Sequence, residues 1–381
     1  MDVFDNLLNS SPRTIKIVDM HTSGEPTRII VDGYPDLEGT TLLEKRRCAR
    51  KRWDAIRQRL MREPRGHAEM YGAILVQETE LTRAGEADIG VLFCHNEGYS
   101  TMCGHATVAL GRFLVDTQDR RVFPSRDKLP IEHDAETGTD VTVLRLHAPC
   151  GVINVRVPTV DGRSDAGRSV SFLGVPSYAS ALGLAVRLDD REVMVDIAFG
   201  GAFYAIVTDA ALGFPSGLRS GTESSLDELN SATRRLKAAV IEQHPDALRH
   251  PDADLRFLYG VIVVDTSQQT RSGEELGICF FADQQIDRSP TGSGVMARVA
   301  LAVDKGLMRL GESRVYHSVV SAMASVGDGP GDGFRGTAVE TLEGQGTVVR
   351  VEGRAFYTGA TSFVVEQEDT MPDGFVVGLV R

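Results

Sequence analysis

Cys103 is followed by Gly104 and His105 and then by Ala106, Val108, Ala109, Leu110, Phe113 and Leu114, a run with little polar face. A helix apolar all round is a buried helix, so the pattern predicts a thiol at the N-terminus of a buried helix. Helix N-termini carry unpaired N–H groups and a partial positive charge. Both favour thiolate, and such cysteines have pKa values lowered to roughly 3.5–7.5. Alone, Cys103 also reads as a small buried hydrophobe, the commonest fate of a free cysteine. A counterpart favours chemistry: Thr291-Gly292-Ser293-Gly294 opens a second such helix, with Val295, Met296, Ala297, Val299, Ala300, Leu301 and Val303.

Two converging helix N-termini form an anion trap suited to a carboxylate. Gly104 and Gly292 let the backbone come close to that ligand. A carboxylate held this way has the charge that develops on its α-carbon stabilised as an enediolate-like species. The chemistry implied is removal of a proton beside a carboxylate, without metal or pyridoxal phosphate. Asp287, four residues before Thr291, is placed to hold an ammonium group; as a loop carboxylate it pairs with Arg288 instead.

The elements that must position these residues repeat. Residues 90–116 and 277–304 each read as an apolar strand, a polar loop, Cys-Gly or Thr-Gly, and a helix ending in Val-Asp. Each buried helix needs its own curved sheet, which predicts two similar lobes with a cleft between them. Strands are predicted at 14–19, 27–32, 72–77, 88–95, 141–146 and 152–157, then at 193–198, 203–207, 257–264, 277–282, 347–352 and 361–366. The spacing of Ala49, Trp53, Ile56 and Leu60 predicts one helix over 41–62 with a solvated basic face. That of Leu226, Leu229, Leu236 and Val240 predicts another over 225–242. The polar stretch 160–168 divides the halves, and the glycine-rich 327–333 is a surface loop.

The 381 residues include 41 basic and 53 acidic side chains, a net charge of −12. A nucleic-acid surface would be basic, so nucleic acid is not an expected partner. No stretch approaches the ~20 apolar residues that cross a bilayer. Met1 to Arg13 has no basic start of a secretory signal, so a cytoplasmic address without membrane is expected. The odd, scattered set Cys48, Cys94, Cys103, Cys150 and Cys279 is not a disulfide framework. Cys94, His95, Cys103 and His105 fit no standard zinc spacing, and no metal or cofactor is expected.

The segments HTSGEPTRI (21–29), PRGHAEMYGA (64–73), MCGHATVA (102–109), FGGAFYA (199–205) and DRSPTGSG (287–294) resemble the proline racemase family along nearly the whole chain. The resemblance implies an α/β fold of two pseudo-symmetric lobes of the diaminopimelate-epimerase type, each a curved sheet around a buried central helix. Residues 1–165 with 358–381 would form the lobe carrying Cys103, and 166–357 the lobe carrying Thr291. Racemases and hydroxyproline epimerases of the family carry cysteine at both half-sites. Here the second is Thr291, whose hydroxyl ionises far above neutral pH and cannot be a thiolate base. The Cys/Thr pair resembles the branch that dehydrates trans-3-hydroxy-L-proline. There Cys103 would remove the α-proton and water would leave C3, giving Δ1-pyrroline-2-carboxylate. By motif, the N–H groups of Gly104, His105, Gly292 and Ser293 bind the carboxylate, Asp287 holds the ring nitrogen, Thr291 hydrogen-bonds substrate, and Tyr71 and Phe281 pack on the ring. Ala202 replaces a polar residue common in relatives. The expected partners are this small molecule and, in a homodimer, a second copy of the chain. The alternatives are a proline racemase or hydroxyproline 2-epimerase with one thiol, and a non-catalytic amino-acid-binding protein.

Overall fold

The computed structural model describes residue 3 and residues 14–135, 137–218, 223–266, 273–324 and 331–377. The segment Met1 to Arg13, apart from Val3, and most of the 327–333 loop lie outside them. The chain opens as a hairpin in which Ile15, Ile17 and Met20 of strand Ile15–Thr22 are buried. Ser23 and Gly24, with φ of 52° and 89°, join Thr22 to Glu25. Positive φ at both central residues is the two-residue hairpin geometry that matches strand twist.

The strand pairings carry the sequence repeat into three dimensions. In the first half, Ile15–Thr22 pairs antiparallel with Glu25–Asp32, which pairs parallel with Gly72–Val76. Gly72–Val76 pairs antiparallel with Ile89–Cys94, that strand pairs parallel with Thr139–Ala148, and the last pairs antiparallel with Gly151–Val160. The second half repeats the same five senses through Arg191–Phe199, Phe203–Thr208, Leu258–Val264, Glu274–Phe281, Ser313–His317 and Phe334–Leu342. Each second parallel step needs a crossover. Helix Gly104–Asp116 makes the first and helix Gly292–Asp304 the second. Strand Val170–Leu173 pairs with Gly151–Val160 on one side and Gly346–Gly353 on the other, so one ladder runs through both halves. Strand Ala355–Phe363 returns to Ile15–Thr22.

Both crossover helices are buried nearly end to end and share one apolar core. A second core lies between the second sheet and helix Glu223–Gln243, and a third under helices Leu42–Arg52 and Asp54–Met61. Each sheet therefore has a helix on both faces.

Several local expectations change. The segment 41–62 is two helices broken at Trp53. The first is capped by Thr41 and Glu44 in a capping box. The basic residues of 41–62 are not all solvated: Arg57 of the second helix is buried and donates to the carbonyls of His95 and Asn96 at 2.7 Å each, while Arg46 of the first donates to the Tyr99 carbonyl at 2.6 Å. These guanidiniums hold the loop after strand Ile89–Cys94, a long-range job that helical spacing does not encode. Leu226 is exposed rather than part of the buried face. The last strand ends at Phe363, and the long strand Tyr178–Leu188, rich in small residues, gave no clear alternation. Among the described residues no helix is long and apolar enough to cross a membrane.

The two central helices meet N-terminus to N-terminus. A Cβ on Gly292 would stand 2.6 Å from the Gly104 Cα, and one on Gly104 would clash with the Gly292 backbone. Gly292→Ala is therefore expected to push the termini apart. A shift of about 1 Å in reacting groups costs on the order of 100-fold in rate. Steady-state kcat/KM should fall by about that factor while circular dichroism stays that of the parent.

Candidate active site

All nine residues singled out by the sequence meet in one cavity: Tyr71, Cys103, Gly104, His105, Phe281, Asp287, Thr291, Gly292 and Ser293. Met102, Tyr204 and Tyr259 complete its wall. Its free volume is about 10 Å³, room for about one water molecule.

The two halves place unlike residues at equivalent positions. Cys103 is the N-cap of its helix in extended conformation, and its Sγ accepts from the Ala106 N–H at 3.4 Å. Thr291 is the N-cap of the other helix but sits at φ 64°, ψ 87°, and its side chain makes no cap. A β-branched residue there is a backbone outlier costing on the order of 1–3 kcal/mol, and such strain collects at functional sites. Ser289 and Arg298 hold it: the Thr291 N–H donates to Ser289 Oγ at 3.1 Å, and Arg298 donates to the Pro290 carbonyl at 2.9 Å. The leading N–H groups of both helices lack intrahelical partners, and the two helix ends meet at Gly104 and Gly292.

Asp287 is buried, with Oδ1 accepting from the Ser289 N–H at 2.8 Å. Burial raises its pKa to about 6, against the pull of the Ser289 and Thr291 hydroxyls. Behind it stands Glu25, also buried, whose Oε2 accepts from the Arg288 N–H at 2.7 Å while Oε1 has no partner. Burial first, and Asp287 second, push the Glu25 carboxyl well above its ordinary value. A proton on Glu25 leaves the pair one negative charge, available on Asp287. Arg288 does not pair with Asp287; its guanidinium is bound to Glu69 at 2.6 Å.

The expectation of a lowered Cys103 pKa is not met in the closed cavity. Burial raises the thiol well above its ordinary value, the Ala106 N–H lowers it, and Asp287 adds to the rise. Desolvation wins over the helix terminus because the charged form loses water on every side. A ligand ammonium beside Asp287 would reverse that contribution. His105, read only for its backbone N–H, also brings its ring: both ring nitrogens lie 3.3–3.4 Å from Sγ. Burial lowers His105 to about 3, so it is neutral. The Tyr71 ring packs edge-on against it at 4.7 Å and lies 5.9 Å from Phe281.

Sequence reasoning missed Glu25, Tyr204 and Tyr259. Tyr204 hydrogen-bonds the Ser293 hydroxyl at 2.7 Å. The signal for Tyr259 was present: Tyr71-Gly72 and Tyr259-Gly260 begin equivalent strands of the repeat. Among the described residues no three His, Cys, Asp or Glu side chains are grouped to hold a metal ion.

Paired helix termini with a cysteine N-cap, between two lobes of equal topology, define a racemase-type α/β protein. The family model for proline racemase matches residues 17–376, and the chain belongs to that family. It is 45% identical to a trans-L-3-hydroxyproline dehydratase of Xenopus tropicalis over 95% of each chain. It is 43% identical to the trans-3-hydroxy-L-proline dehydratase of Homo sapiens, covering 95% of this chain and 94% of the human one. Among solved structures, a hydroxyproline epimerase from Agrobacterium vitis with bound trans-4-hydroxy-L-proline superposes with a TM-score of 0.74 at 21% identity, over 96% of each chain. A probable proline racemase from Agrobacterium radiobacter K84 gives 0.76 at 20%, over 95% of this chain and 96% of that one. At these identities the two structures establish the fold.

The Asp287 shift has a consequence for stability. Its folded pKa of about 6 exceeds the unfolded value of about 3.9. The folded state holds this proton more tightly, so the stability it contributes is full below about pH 4 and is lost as pH rises through 6. Asp287→Asn should lose that component. Its Tm by calorimetry is expected to fall less between pH 5 and pH 8 than the parent's; an equal fall would contradict the assignment.

Proposed function

We propose that this protein is a trans-3-hydroxy-L-proline dehydratase, a cofactor-independent hydro-lyase. The observation that carries the reading is the Cys103/Thr291 pair across one closed cavity, one thiol where a two-base racemase needs two. The relatives of 42–45% identity named as dehydratases of this substrate support it.

In this reading the carboxylate lies between the N–H groups of Gly104, His105, Gly292 and Ser293, where two helix termini favour negative charge. The ring ammonium faces Asp287, and Tyr71 and Phe281 pack on the ring. That ammonium offsets the carboxylate charge that raises Cys103, and the bound carboxylate carries the electron density released at Cα. Cys103 acts as general base on the α-proton. The C3–oxygen bond breaks, and the enamine tautomerises to Δ1-pyrroline-2-carboxylate. Thr291, strained and facing Asp287, positions the substrate without exchanging a proton. We extend the proposal to the division into lobes 1–165 with 358–381 and 166–357. We extend it also to a cytoplasmic homodimer. Five free cysteines suit a reducing compartment.

Incubation with trans-3-hydroxy-L-proline and trapping with o-aminobenzaldehyde should detect the pyrroline. Cys103→Ser should abolish it with the fold retained; 4-hydroxyproline epimers without pyrroline would instead favour an epimerase, and a parent inert to all of these a binding protein. Thr291→Cys restores the two-thiol layout and is expected to racemise proline or hydroxyproline. Solvent deuterium at Cα with unchanged chirality in that variant would count against the reading.

A further inference from the structure

Dehydration needs a proton donor for the departing hydroxyl, and the stereochemistry of the proposed substrate says where it must stand. In trans-3-hydroxy-L-proline the C3 hydroxyl and the carboxylate occupy opposite ring faces. The α-hydrogen is also opposite the carboxylate, so it shares a face with the hydroxyl. On the dehydratase reading, on which this inference rests, that is the face turned to Cys103. Elimination is then syn, and the donor belongs on the thiol side of the ring, away from Thr291.

We propose that Tyr71 and Tyr259 form the leaving-group subsite and give the C3 oxygen its proton. Both line the cavity with Cys103. They are 1% and 5% exposed; neither hydroxyl makes a hydrogen bond of good geometry, but each is within reach of the other and of the Ser100 hydroxyl, and Tyr71 is within reach of the Cys103 sulfur. A buried phenol ordinarily finds a well-aligned partner, so two phenols that share only loose contacts with each other, Ser100 and the sulfur mark a place on the cavity wall where a ligand hydroxyl is received. Neighbouring rings and main-chain hydrogen bonds fix the phenols in place. Tyr259 lies 5.5 Å from Phe281 and 5.9 Å from Tyr204. The Tyr259 carbonyl accepts from Lys237 Nζ and from the Ala282 N–H, each at 3.1 Å. The Tyr71 carbonyl accepts from the Arg28 N–H at 2.8 Å. Burial raises both phenols well above their ordinary value, and the charge of a Cys103 thiolate adds to the rise in each, as expected of groups that face the sulfur.

The other candidates are otherwise engaged. His105 and His95 are both lowered to about 3 by burial and carry no acidic proton at neutral pH. The Ser293 hydroxyl is bound to Tyr204, Glu25 does not line the cavity, and Asp287 faces the ring nitrogen. The step balances. The Cα–H bond breaks as S–H forms on Cys103, its electron pair becomes the C2–C3 π bond, and the C3–O bond breaks toward oxygen. That oxygen takes a proton from the phenol pair and leaves as water. The phenolate then recovers a proton from the Cys103 thiol, restoring thiolate and phenol.

Tyr71→Phe, Tyr259→Phe and the double variant keep the rings and remove the hydroxyls. With trans-3-hydroxy-L-proline in D2O, the double variant should form pyrroline about 100-fold more slowly, the scale of a lost general acid. Recovered substrate should gain Cα deuterium relative to product formed, because a carbanion that cannot expel its hydroxyl takes a deuteron back from Cys103. Pyrroline formed at the parent rate by the double variant would overturn the proposal. So would exchange and elimination falling in equal proportion, the mark of a purely structural role. A parent that makes no pyrroline would overturn the dehydratase reading, and this subsite with it.

Discussion

The approach of Gly104 to Gly292 is the constraint on which the rest of the molecule depends. Two helix N-termini that touch must each present bare backbone, since one methyl group at either position meets main chain. Their like partial charges repel, so packing must hold them together. It does so through two sheets of identical pairing sense that share strand Val170–Leu173, and through a core continuous around both helices. The contact also explains why these helices are apolar on all sides: each is enclosed by its own sheet and meets its counterpart end-on, leaving no face for water.

That enclosure sets the electrostatics. The cavity holds a thiol, a carboxylate and a second carboxyl behind it, and burial opposes charge on all three. Only the helix termini favour anions. In the proposed function the substrate completes the set, its carboxylate meeting the helix ends and its ammonium meeting Asp287. On that reading the closed site is poised as base only when occupied. Hydrogen bonds between the halves support closure: Glu69 accepts from the Ile286 N–H and pairs with Arg288, Thr101 donates to the Gly201 carbonyl, and Gln285 donates to the Met70 carbonyl.

Much of this was legible in the chain. The strand-loop-helix repeat showed as residue pattern because each copy is local and its buried helix admits few polar residues, Arg112 and Arg298 among them, each paired inside the protein. The motif residues fell into one cavity because each lies at a strand end or helix start, where the backbone aims it. Less legible were the features made by distant pairings. Nothing near Arg57 shows that it serves the carbonyls of His95 and Asn96, and Trp53 looked like a helix interior because its spacing is periodic. Tyr259 was readable only by aligning Tyr71-Gly72 with Tyr259-Gly260.

The sequence by itself determined the fold class, the two buried helices and the unlike pair Cys103 and Thr291, because these follow from residue type and short-range spacing. Tertiary structure decided what those residues are chemically. Whether Cys103 is thiol or thiolate turns on how far burial and Asp287 outweigh one helix terminus. That Thr291 sits strained at positive φ, unlike Cys103, depends on Ser289 and Arg298 holding the turn before it. That two phenols stand together beside the sulfur depends on strands from opposite halves. Desolvation and long-range contact are properties of the assembled molecule, and no stretch of sequence carries them.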